Sequence, residues 1–212
     1  MQPPDDSSDT LVGSTSDVLG ARLRARRQEV GLSVRELSRR IGMSASLVSQ
    51  IETGKVQPSV PTLYALVAEL GASFDDLLFG EADGGKEAGG KAFHVAALDH
   101  PPVPLVQRAH DRKTLQLGHG IRWERLTRES VPGVEFLYVE YQPGAESGGP
   151  DEYQRHSGRE WCYVVSGHLD IVVGFDSYNL EAGDAITFDS TTPHRLSNKG
   201  SQPAISIWFQ LR

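Results

Sequence analysis

Residues 41–54, IGMSASLVSQIETG, decide how this chain is to be read. Gly42 breaks a helix, Ser44 has the chemistry of an N-cap, Val48 and Ile51 supply one apolar face, and Gly54 ends the segment. Just upstream, residues 31–38, GLSVRELS, repeat the device. Gly31 stops a first helix expected from about Asp17 to Val30, with Leu19, Leu23 and Val30 on one face. Ser33, with Glu36 three residues on, reads as a capping box, and Val34, Leu37 and Ile41 form the inward face of a second helix. The spacing therefore predicts two short helices joined by a tight glycine turn. The later one carries Ser44, Ser46 and Ser49 outward and has no carboxylate before Glu52.

Charge is unevenly spread around this segment. The 212-residue chain has a formal net charge of −7, yet between residues 17 and 58 eight Arg and Lys side chains face only four carboxylates. A local basic face matters more for phosphate contact than the whole-chain balance, because salt screens exposed charges beyond roughly 8 Å. The N-terminal stretch is acidic and Ser-rich where a signal peptide would be basic and then apolar, and no run of eighteen apolar residues occurs. A cytoplasmic protein with no membrane partner is expected. The single cysteine, Cys162, excludes an internal disulfide and a thiolate-rich zinc site.

Helical periodicity persists to about Phe79 and gives way to residues 80–90, GEADGGKEAGG, which hold five glycines and nothing apolar larger than alanine. Beyond lie short β-like runs at 120–127, 134–141, 160–165, 168–173, 184–188 and 204–211, separated by turn signals such as Pro143-Gly144 and Ser166-Gly167. Many short strands with no intervening helical pattern mean a sandwich or barrel. The expected organisation is a disordered acidic tail (1–15), a helical domain (16–79), a Gly-rich linker (80–91) and an all-β domain (92–212).

Two helices joined by a glycine turn have the geometry of a helix-turn-helix, whose second helix enters the major groove. The residues themselves resemble the phage-repressor-like (Cro/C1-type) regulators over 31–38, 41–54 and 58–71, PSVPTLYALVAELG, with a closing helix through Phe74 and Leu77 that makes the domain five-helical. The resemblance implies that Ser44, Ala45, Ser46, Ser49 and Gln50 face DNA, with Gln50 placed for a bidentate contact to adenine. It extends the DNA-facing set to Ser33, Arg35, Thr53 and Lys55, and it pairs Arg27 with Glu52 in a partly buried ion pair. Arg26 departs from the family, which has an apolar residue there; either the helix is shifted or the side chain snorkels.

The second half resembles the cupins, small double-stranded β-helix (jelly-roll) barrels. Residues 154–160, QRHSGRE, lead to Gly167, and residues 193–198, PHRLSN, follow Gly183-Asp184, at the spacing of the two cupin motifs. Gln154 stands where the first motif ordinarily has a histidine. Gln154 and His156, two apart, project to one strand face, and in a narrow barrel Glu160 and His194 can reach them. Two histidines and a carboxylate suit one divalent metal, Fe, Zn, Mn or Ni; the same residues also make a metal-free polar lining. Gln154, Cys162 and Asn198 are expected to line an effector pocket, although packing alone accounts for an inward Cys162. Trp161, Tyr163 and Val165 alternate to the opposite face, where a second subunit would sit.

The whole chain thus resembles a helix-turn-helix/cupin regulator, expected to bind a double-stranded operator as a homodimer and to answer to a small effector in the barrel. A second reading is a mononuclear non-haem iron oxidoreductase, since a phosphonate epoxidase shares the two-domain plan and the His-x-x-x-Glu spacing. The polar recognition helix separates the readings, because an enzyme using the helices as scaffold has no need of Gln50, Ser44 and Ser46.

Overall fold

The computed structural model describes residues 15–72, 77 and 105–212. Among the described residues four helices come first: α1 (Thr15–Glu29), α2 (Val34–Arg40), α3 (Ala45–Glu52) and α4 (Val60–Glu69). The caps act as their chemistry requires. Ser33, Ser44 and Ser59 accept hydrogen bonds from the backbone N–H groups of Glu36, Leu47 and Thr62, satisfying one otherwise orphaned donor per helix. Leu19, Leu23, Leu37, Val48, Ile51, Leu63 and Leu66 bury themselves between the helices. Gly20 makes the crossing of α1 over α3 possible: a β-carbon there would lie 2.4 Å from the Ile51 carbonyl oxygen.

Three local expectations need correction. α1 ends at Glu29, so Val30 lies beyond it and is 39% exposed; Gly31, at φ 72°, turns the chain away before Val30 can reach the core. The capping box is half made, because the Glu36 carboxylate binds Arg39 and Arg40 at 2.8 and 2.7 Å instead of returning to the Ser33 N–H. Arg26 neither shifts the helix nor merely snorkels: its guanidinium donates to the Leu70 and Gly71 carbonyls at 3.2 and 3.3 Å, closing the C-terminus of α4. The expected linker (80–91), the tail apart from Thr15, and most of the fifth helix lie outside the described residues. Leu77 is described and buried.

Nine strands follow among the described residues: β1 (Thr114–Leu117), β2 (Ile121–Arg125), β3 (Val134–Tyr141), β4 (Arg159–Ser166), β5 (His168–Val173), β6 (Asp176–Glu181), β7 (Ala185–Asp189), β8 (His194–Ser197) and β9 (Ala204–Leu211). They form a six-stranded sheet, β1-β2-β3-β9-β4-β7, facing a three-stranded sheet, β6-β5-β8. All pairings are antiparallel. Alternation of buried with partly buried residues along β3, and of buried with exposed residues along most of β4, turns Leu137, Val139, Tyr141, Glu160, Cys162 and Val164 inward. Leu169, Ile171 and Leu196 close the core from the opposite sheet.

The helical domain is docked on the barrel. The Val60 N–H donates to the Ser147 carbonyl at 3.0 Å, and the Gly118 N–H donates to the Pro58 carbonyl at 3.0 Å. The seam is tight, since a β-carbon on Gly148 would meet Pro61 Cγ at 2.9 Å.

Candidate functional sites: the recognition helix and the barrel centre

Helix α3 presents Ser44, Ser46, Ser49 and Gln50 outward, with Ala45 half-buried beside them and Thr53 and Lys55 exposed at its end. Ser33 and Arg35, on and before α2, are exposed as well. Two of the serines have local duties: Ser44 Oγ caps α3, and the Ser49 carbonyl accepts from Thr53 Oγ1 at 2.9 Å. What orients α3 lies behind it. Arg27 Nε and Nη2 donate to the two Glu52 carboxylate oxygens at 2.6 and 2.8 Å, and Nη1 donates to the Leu32 carbonyl at 2.8 Å. Both side chains are more than nine-tenths buried, and the carboxylate raises the affinity of the guanidinium for its proton. A bidentate, buried pair has one geometry, so it fixes the rotation of α3 relative to α1.

In the barrel, His156, Glu160 and His194 come together. Their ligand atoms lie within 4.8 Å of one another, with His156 Nε2 at 2.8 Å and His194 Nε2 at 3.2 Å from Glu160 Oε1. The partners of the other ring nitrogens are instructive. His156 Nδ1 lies 3.2 Å from the Ser157 carbonyl oxygen and His194 Nδ1 lies 2.8 Å from that of Thr192. A carbonyl only accepts, so each Nδ1 carries a hydrogen, and in a neutral ring Nε2 is a bare lone pair. Those lone pairs, both Glu160 oxygens and Gln154 Oε1 are buried with no well-directed hydrogen bond among them. Burial alone would push the Glu160 carboxyl up, and hydrogen bonds from His156 and His194 with Nε2 protonated would outweigh it, down to about 2; a divalent cation in place of those two protons favours the carboxylate in the same way. Acceptors converging on one point without a donor are the donor set of a divalent cation, and His156, Glu160 and His194 fit one.

The other expected pocket residues part company. Gln154 reaches the cavity, which is also lined by Tyr64, Trp123, Tyr141, Glu160, Trp208 and Gln210. Asn198 does not: its amide nitrogen donates to the Tyr141 and Gln202 carbonyls and its oxygen accepts from the Gly200 N–H, so it pins a turn and has nothing left for a ligand. Cys162 faces inward but packs in the core, 2% exposed, and burial together with the Glu160 charge pushes its thiol up to about 12. The residue that sequence reasoning missed is Tyr64, which enters the barrel from α4 and stacks on His156 at a centroid distance of 4.2 Å. In sequence it looks like one more large side chain on an apolar helix face.

Comparison with known proteins agrees with this geometry. Residues 18–78 match the helix-turn-helix domain family and residues 137–209 the cupin domain family. The chain is 28% identical over 181 residues to the HTH-type transcriptional regulator PuuR of Escherichia coli (strain K12), covering 84% of this chain and 86% of that one. It is 35% identical over 91 residues to the HTH-type transcriptional regulator DdrOP3 of Deinococcus deserti, covering 42% of this chain and 70% of the relative. Among solved structures, an HTH_3 family transcriptional regulator from Vibrio cholerae shares the fold with a TM-score of 0.60 at 17% identity, over 93% of this chain and 96% of that one. Among the described residues no helix is long and apolar enough to cross a membrane. The chain belongs to the HTH-type transcriptional regulators and carries a C-terminal region that matches the cupin domain family, and it is a DNA-binding regulator.

Proposed function

We propose that this regulator reads a pseudo-palindromic operator as a homodimer and that a small molecule held in the barrel changes its operator affinity. The observation that carries the reading is the outward row Ser44, Ala45, Ser46, Ser49 and Gln50 on a helix whose rotation is fixed from behind by Arg27 and Glu52. Nothing on that row repels phosphate. Gln50 is the base reader, and Ser33, Arg35, Thr53 and Lys55 contact the backbone on either side. A second copy of the chain is placed against the outer face of β4 and β9, where Trp161, Tyr163, Val165, Phe209 and Leu211 are each 38–50% exposed. Apolar area of that kind on one sheet face is characteristic of an interface.

His156, Glu160 and His194 would hold the divalent cation, which when bound supplies a Lewis-acidic attachment point for an effector oxygen. Gln154 orients the effector by hydrogen bonding, since a neutral amide oxygen is a poor ligand to a borderline cation. The test starts from an operator selected out of random duplexes by the purified protein. Gln50→Ala should weaken operator binding by about 1–3 kcal/mol and leave non-specific binding nearly unchanged. Equal losses on operator and random DNA would show that Gln50 reads no base.

A further inference from the structure

The DNA-binding domain sends a side chain into the sensor domain. Tyr64 is on α4, on the same helix as Leu63 and Leu66, which are buried in the helical core, yet its ring lies in the mouth of the barrel and is only 6% exposed. One face stacks on His156, with 1° between the planes. Trp123 meets it edge-on at 6.4 Å, and the Arg212 guanidinium lies 5.6 Å from the ring centroid. The phenol oxygen sits 3.2–3.3 Å from the amide of Gln210, able both to donate to Oε1 and to accept from Nε2. With Tyr64 seated, the cavity left beside Glu160, Gln154, Trp208 and Tyr141 is about 20 Å³. That is room for about one water molecule or an ion.

An aromatic molecule bound at His156 and Gln210 therefore needs the space that Tyr64 fills. We infer that Tyr64 is an intramolecular stand-in for the effector: a small planar molecule with a hydrogen-bonding substituent on its ring takes the same place on His156 and Gln210 and expels Tyr64. The tyrosine shows what this place accepts, a flat ring against an imidazole face with a hydroxyl at the far end, and the polar groups of its walls include those of Tyr141, Gln154, Glu160 and Gln210. The effector class is accordingly phenols and comparably small aromatic or heteroaromatic molecules.

Expulsion is felt by the DNA-binding domain because of where Tyr64 is attached. The ring ties α4 to the barrel beside the backbone bond from Val60 to Ser147, and the bond from Gly118 to Pro58 holds the chain just before the helix. Moving the ring out of the barrel moves α4, and α4 is packed through Leu63 and Leu66 into the core that also seats α3. An effector can shift this equilibrium only through its differential affinity for the two arrangements, and a pocket blocked in one of them and open in the other supplies that difference.

This inference rests on the reading of the barrel as an effector sensor, and its test separates the two. The probe is p-cresol, the side chain of tyrosine as a free molecule, titrated without DNA into the full-length wild type, Tyr64→Ala and Tyr64→Phe, with tryptophan fluorescence and calorimetry as readouts. A ring seated in 99 of 100 molecules lowers the apparent affinity of a competitor about 100-fold, so Tyr64→Ala should bind p-cresol about 10- to 100-fold more tightly than wild type. Tyr64→Phe keeps the ring and loses the Gln210 bond; it should gain about 2- to 10-fold and serves if the alanine variant does not fold. On the selected operator, p-cresol should change wild-type affinity several-fold, and Tyr64→Ala should carry that change without ligand. Equal p-cresol affinity in all folded variants overturns the stand-in while leaving operator recognition intact. Tight p-cresol binding to Tyr64→Ala with unaltered operator affinity overturns the coupling. A protein that selects no operator at all overturns the sensor reading itself and the coupling with it, whatever p-cresol does.

Discussion

Removing the Glu52 carboxylate tests how α3 is held. In the native protein it accepts two bonds from Arg27, at 2.6 and 2.8 Å, and the two side chains are only 8% and 5% exposed. Glu52→Ala leaves a buried guanidinium that still donates to the Leu32 carbonyl at 2.8 Å. Stranding one member of a buried pair costs roughly 3–5 kcal/mol, and the surviving bond argues for the lower end, about 3 kcal/mol. If the docked domains melt as one unit, the midpoint should fall by about 6–12 °C; if the helices melt alone, by about 12–24 °C. The assay is a double-mutant cycle by urea or thermal unfolding with Glu52→Ala, Arg27→Met and the pair together. Both charges removed leaves no stranded ion, so the double variant should be more stable than the sum of the single costs implies, with a coupling of at least about 2 kcal/mol. Costs that add within about 0.5 kcal/mol would refute the argument that the pair acts as a unit.

Gly20→Ala should destabilise the helical domain by about 1–3 kcal/mol, because the new methyl meets the Ile51 backbone 2.4 Å away and helix backbone cannot swing aside; an unchanged unfolding midpoint would count against that crossing. Glu36 should titrate far below an ordinary carboxylate, near about 2, held there by hydrogen bonds from Arg39 and then Arg40. Its folded value is depressed, so its contribution is complete above about 4.5 and is lost as pH falls towards about 2; a carboxyl NMR titration should show the midpoint rising in Arg39→Ala. Gln154→His should strengthen binding of Fe(II), Zn(II), Mn(II) or Ni(II) by calorimetry, since an imidazole replaces an amide beside His156, Glu160 and His194; if no metal binds wild type or variant below about 0.1 mM, these residues line a metal-free pocket.

What could be read from the sequence were the features that a few consecutive residues settle among themselves. Serine caps, glycine stops and period-two alternation are local devices, and so the helices α1 to α3 and the strands β2, β3, β4, β5, β7 and β9 were legible, while α4 came with the family resemblance. β1, β6 and β8 were not. β6 is exposed at five of its six positions and carries no alternation, and β8, only four residues long, was visible only as the motif around His194. Spacing foretold that His156, Glu160 and His194 would meet, because a strand puts residues on one face and a barrel brings strands together. It was equally able to suggest Asn198, whose amide the fold spends on backbone carbonyls.

The rest was decided by partners far apart in the chain. Whether Glu36 returns to Ser33 depends on which arginines stand nearer, and whether Arg26 needs water depends on the end of α4, 44 residues away. Local pattern sufficed for a helical half with a polar outward helix and a β half with His156, Glu160 and His194 at ligand spacing. Only the tertiary structure placed Tyr64 against Gln210, 146 residues apart, because no local rule says which side chain will fill a cavity whose walls come from the other domain.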